Sequence, residues 1–146
     1  MTFSRFDKAL FDELFEIDIS PAKLRRLIEK GANPNAIDPE TGQTFLTEAV
    51  ETLTDEEAEV LALIVELGAD PQRDTEGVSP LVAAIWEQKV EMVKVLLRSG
   101  AKARAPLSDG ESALDAAEEF AEHLTTEGEN TETIQQIIEL LRQAEA

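Results

Sequence analysis

The 146-residue chain has no cysteine, one histidine, one tryptophan and two methionines. Without cysteine there is no disulfide, no thiolate nucleophile and no Cys-based zinc or iron–sulfur site. The lone His123 excludes His-rich metal clusters and paired-histidine zinc motifs. No apolar run approaches the ~20 residues of a membrane span. The opening twenty residues carry Asp7, Asp12, Glu13, Glu16 and Asp18 where a secretory leader needs an uncharged apolar stretch. These absences predict a soluble, cytoplasmic chain with no membrane partner. Positive charge is scarce as well. Thirteen Lys and Arg face 31 Asp and Glu, and a formal charge of -18 makes nucleic-acid phosphate a poor partner. The hydrophobic fraction of 42% nevertheless supports a folded globule over a disordered acidic tail. The length fits one domain, residues 1–146, with a sizeable core.

What is present is internal repetition. Gly-Ala recurs at Gly31-Ala32, Gly68-Ala69 and Gly100-Ala101, and each is followed by Gly-x-Thr/Ser-x-Leu, opening at Gly42, Gly77 and Gly110. The second signature recurs at intervals of 35 and 33 residues. Before each Gly-Ala lies an apolar stripe at helical spacing: Leu24, Leu27, Ile28; Leu61, Ile64, Val65; Val93, Leu96, Leu97. The glycine that follows suits the left-handed position ending a helix. Turn residues come next, and Thr44, Ser79 and Ser112 read as N-caps of a new helix, with Pro80 at its first position. Ser20-Pro21 opens a helix the same way, and Thr54 with Glu57 has capping-box spacing. The unit is turn, helix, short loop, helix, at about 33 residues.

These residues resemble the ankyrin repeat family. Residues 74–105, DTEGVSPLVAAIWEQKVEMVKVLLRSGAKARA, follow its pattern without a gap, and residues 24–46 and 61–71 match it too. The resemblance implies an all-α solenoid of about four helix–turn–helix repeats with degenerate terminal capping repeats, and short turns in place of a sheet. The family's histidine, which ties repeats together, is replaced by Thr47, Val82 and Asp115, so that tie is expected to be missing. The second repeat carries three extra residues near 53–59, and the last an insertion of 11, expected to lengthen its first helix or the loop near 125–130. Capping stripes are expected from Phe6, Leu10, Leu14 and Ile17 at one end and Ile134, Ile137, Ile138 and Leu141 at the other. Phe3, Phe11 and Phe15 are assigned to packing in the first repeat, and Phe120 to the core.

No catalytic constellation is present: His123 lies in an acidic helical context, every glycine serves a cap or turn, and no calcium-loop pattern occurs. The resemblance implies no cofactor and no metal. It implies instead a non-enzymatic protein-binding module whose contacts come from the concave face. Carried over by position, these are Glu40, Gln43, Glu51 and Thr52 in the second repeat. The third contributes Thr75, Glu76, Val78, Trp86 and Glu87, and the fourth Ser108, Asp109, Glu111, Glu119 and Phe120. The acids among them predict a basic protein partner and a monomeric chain; as a bare solvated surface they would mean nothing more. Trp86 has two readings, a binding anchor ringed by acids or a ring packed between repeats. An immunity or inhibitor protein neutralising a basic toxin or nuclease is the alternative function. A structural or chaperone-like interaction protein, its charge serving solubility, is the second.

Overall fold

The N-caps read at Ser20, Thr44, Ser79 and Ser112 all form. In the computed structural model, which describes residues 3–144, the hydroxyls of Ser20, Thr44, Ser79 and Ser112 each accept the backbone N–H three residues on, at 3.1–3.3 Å. They open α2 (Pro21–Glu29), α3 (Phe45–Thr52), α5 (Pro80–Trp86) and α7 (Ala113–Thr126). The remaining helices are α1 (Arg5–Glu13), α4 (Glu59–Glu66), α6 (Val90–Arg98) and α8 (Glu132–Gln143). A reciprocal Ser4–Asp7 capping box begins α1. The Gly-Ala glycines after α2, α4 and α6 hold φ of 108°, 119° and 110°, the left-handed geometry that closes a helix.

The helices stack in two rows. In one, α3 packs on α5 and α5 on α7; in the other, α4 packs on α6 and α6 on α8. Between the rows runs a continuous core from Leu10 and Leu24 through Leu61, Leu81 and Leu96 to Ile137 and Leu141. Strand-like pairing is limited, among the described residues, to the isolated bridges Ile37–Thr44 and Thr75–Val78, each within one turn, and no strand occurs among them. The chain is an all-α repeat solenoid.

Successive units are tied by a ladder of backbone-to-side-chain bonds. The residue after each Gly-Ala donates its N–H to a side chain of the preceding unit: Asn33 to Asp7 at 2.7 Å, Asp70 to Asn35 at 2.7 Å, and Lys102 to Gln72 at 2.8 Å. A second exchange joins α3 and the 3-10 turn after it to α6. The Lys89 ammonium donates to the carbonyls of Val50 at 2.6 Å and Leu53 at 2.8 Å, at the C-terminal end of α3. In return the Asp55 carboxylate accepts the N–H groups of Glu91 at 3.1 Å and Met92 at 2.9 Å. Lys89 itself makes no side-chain cap for α6, so the cap arrives from the neighbouring repeat. The three-residue insertion is the 3-10 turn Asp55–Glu57, which carries Asp55 to that position.

Two expectations at the N-terminal end are corrected. Ile17 is 97% exposed, because α1 stops at Glu13 and the chain after Leu14 runs irregularly. Phe15, assigned to packing, is 71% exposed for the same reason, whereas the Phe11 ring packs against Phe45 at 5.1 Å. At the other end the closing stripe of Ile134, Ile137, Ile138 and Leu141 is buried as expected. The insertion of the last repeat lengthens α7 to 14 residues, against 7 in α5.

Candidate binding face and the Trp86 cleft

The turn tips, the ends of α3 and α5 and the middle of α7 carry the expected contact residues. The third-repeat tip is a two-residue turn between Thr75 and Val78, with Glu76 at φ 52° and Gly77 at φ 86°. Left-handed backbone is strained for glutamate, so the tip holds Glu76 in place at some local expense. Gly77 suits the tip because its φ is left-handed, and a Cβ there would also crowd the Asp109 carboxylate. Asp74 locks this tip to the next one. Its carboxylate accepts the Gly77 N–H at 3.0 Å, the Ser108 N–H at 3.2 Å and the Ser108 hydroxyl. Burial alone would raise the Asp74 pKa, but these donors together hold it below the usual value. Ser108, expected as a contact, is thus engaged in joining turns.

Beneath the tip opens a cleft of about 360 Å³. Its apolar wall comprises Val82, Trp86, Leu107, Ala116 and Phe120, and its acidic rim Glu76, Asp109, Glu111 and Glu119, with His123 at one side. Trp86 is 49% exposed, so it is not enclosed between repeats. Phe120 is half-buried, packing on the core while also lining the cleft. Glu119 faces Glu111 closely enough to raise the Glu111 pKa; burial, Asp109 and Asp115 add to the rise. No rim carboxylate has a salt-bridge partner among the described residues.

The other expected residues fall outside this cleft. Gln43, Thr75 and Val78 line a groove between the second and third tips, which Glu76 borders as well as the cleft. Glu51 stands at the repeat position of Trp86 but joins a different cluster. Its carboxyl pKa is raised by burial and by Glu87, and lowered in part by a hydrogen bond from Gln43 and by Lys89, which lies 3.6 Å from Glu87. Thr52 is exposed at the end of α3. Glu40 is separated from the rest, lining a pocket on the first-repeat side with Phe15, Lys8 and Glu48.

Glu48 was missed by the sequence reading. It is 7% exposed, bonded to the Thr41 hydroxyl, and its pKa rises to about 7 because burial dominates, with Asp38 and Glu51 adding to it. A signal existed: the repeat register places Glu48 where the third and fourth repeats have Ala83 and Ala116. His123 gave no such signal, because it belongs to the extension of α7.

Stacked helix pairs joined by protruding turns define a helical-repeat scaffold. The chain belongs to the ankyrin repeat family: the pattern described as "Ankyrin repeats (3 copies)" matches residues 19–107, from just before α2 to Leu107 in the cleft wall. A 45-residue stretch is 47% identical to the ankyrin repeat domain-containing protein SAT10 of Stachybotrys chartarum (strain CBS 109288 / IBT 7711). That match takes in 31% of this chain and 2% of SAT10. Ankyrin repeats generally serve as protein–protein interaction modules. No helix of the described residues is long and apolar enough to cross a membrane.

Proposed function

We propose that this chain is a non-enzymatic binding module whose acidic face, running over the turn tips and the Trp86 cleft, receives a basic protein. The observation that carries the reading is the cleft itself: an exposed Trp86 and four carboxylates without a salt-bridge partner among the described residues. An open aromatic amid acids suits a hot-spot anchor with a charged rim. The formal charge of -18 would speed encounter with a cationic partner and repel acidic ones.

The test is capture from a source lysate on immobilised protein at low salt. Retained proteins should be basic and should elute as salt rises, since exposed charges are screened over ~8 Å at physiological ionic strength. Reversing Glu76, Glu87 and Glu111 to lysine together should abolish retention. Reversing the exposed Glu29, Glu66 and Glu139, which stand on α2, α4 and α8, should leave most of it. Equal losses from the two triple variants would show that net charge acts alone and the face does not.

A further inference from the structure

The walls of the Trp86 cleft come from different sources, and their combination points to one kind of occupant. Trp86 ends α5, while Phe120 and His123 lie beyond the point where α7 would stop if it had the length of α5. The extension of α7 therefore contributes to the lining, and what it adds there besides His123 is a second aromatic ring, Phe120. Four carboxylates close the rim, supplied by two successive turn tips and by α7. At about 360 Å³ the cleft sits at the small end of ligand sites, which run from ~300 to 1,000 Å³, and suits a side chain rather than a helix.

We propose that the cleft is a receptor for a single arginine side chain presented by the basic partner, its guanidinium stacked on Trp86 and hydrogen-bonded by the rim carboxylates. This rests on the reading that the acidic face receives a basic protein. An apolar side chain would leave the rim uncompensated, and a carboxylate would be repelled by it. A lysine ammonium would satisfy the charge, but as a compact, strongly hydrated point it cannot stack. Guanidinium is planar, weakly hydrated and carries five donors, so it meets both the ring face and several carboxylates at once. The raised pKa of Glu111 agrees with this, since crowded anions there gain most from a cation. His123 and Asp115 are the other titratable groups nearby, and neither forms a salt bridge with the rim in the structure.

The full chain is titrated with three blocked peptides of one spacing, bearing arginine, lysine, or the uncharged isostere citrulline. Trp86 is the sole tryptophan, so its emission reports the cleft directly. The arginine peptide is expected to change that emission at low salt, with the lysine peptide weaker and the citrulline peptide silent. Followed by anisotropy of labelled peptide, Trp86→Ala should weaken the arginine peptide about tenfold or more. Trp86→Phe, which keeps a ring face, should fall between, and Glu111→Gln with Glu119→Gln should approach the alanine variant. If the arginine peptide binds with unchanged emission and equal affinity for Trp86→Ala, the cleft receptor is wrong while the acidic face stands. If the peptide fails to bind at all, the receptor is likewise overturned, and lysate capture decides the wider reading on its own.

Discussion

Replacing Lys89 by methionine keeps the stem of the side chain and removes its charge, which tests whether one ammonium holds two repeats together. That ammonium donates to Val50 at 2.6 Å and Leu53 at 2.8 Å, and the side chain is only 16% exposed. A hydrogen bond to a charged group contributes ~1.5–3 kcal/mol net, and the favourable field at a helix C-terminus adds ~0.3–1. Freeing a long side chain returns up to ~2 kcal/mol of rotamer entropy, and water reaches part of the vacated carbonyls. The expected loss is therefore ~2–3 kcal/mol, or roughly 5–12 °C in Tm for a chain of this size. Asp55→Ala, which removes the reciprocal bonds to Glu91 and Met92, should lose ~1–2 kcal/mol as a helix cap. Urea unfolding followed by circular dichroism measures both. Because the two exchanges cross the same repeat boundary, the double variant should also unfold with a smaller m-value, as the two halves begin to melt apart. A Lys89→Met chain within about 0.5 kcal/mol of the parent would refute the reasoning, since that is the range of an ordinary surface change.

Glu48 predicts a pH dependence of stability. Its folded pKa of about 7 lies above the ordinary 4.5, so the fold favours its protonated form; that contribution is full below 4.5 and is lost as pH rises through 7. Glu48→Gln should make the protein more stable at pH 8 by ~1–2 kcal/mol, after discounting for solvent reaching the pocket, and leave it little changed at pH 4. The pH slope should shrink without vanishing, because the Glu51 pKa is raised as well; an unchanged urea midpoint at pH 8 would contradict the assignment. Gly77→Ala should destabilise by ~1–3 kcal/mol, since its φ is 86° and the new methyl would meet Asp109. A neutral result in thermal unfolding would mean that the tip relaxes freely.

Much of this architecture was legible because it is local. A cap needs a hydroxyl and an N–H three residues apart, and a buried stripe needs only helical spacing, so Ser20, Thr44, Ser79, Ser112 and the closing isoleucines could be read directly. The repeat register carried the same logic further and aligned Glu51, Trp86 and Glu119, although only the latter two share the cleft. What escaped depends on residues distant in sequence. Lys89 bonds residues 36 and 39 positions away, and Asn35 and Gln72 act on the following repeat 30–35 positions on. Nothing in their neighbourhoods marks them. Phe15 and Ile17 failed for the opposite reason: the spacing was helical, but the helix ends before it reaches them.

The most direct test of the account is quencher access to Trp86 in the free protein and in complex with the protein retained at low salt. With 49% of the residue exposed, the free indole should emit at long wavelength and be quenched readily by acrylamide. On binding, the emission should shift to the blue and the quenching constant should fall severalfold, as the anchor leaves water. A bound complex in which Trp86 stays as accessible as in the free chain would contradict the central claim, placing the partner on some other surface of the solenoid.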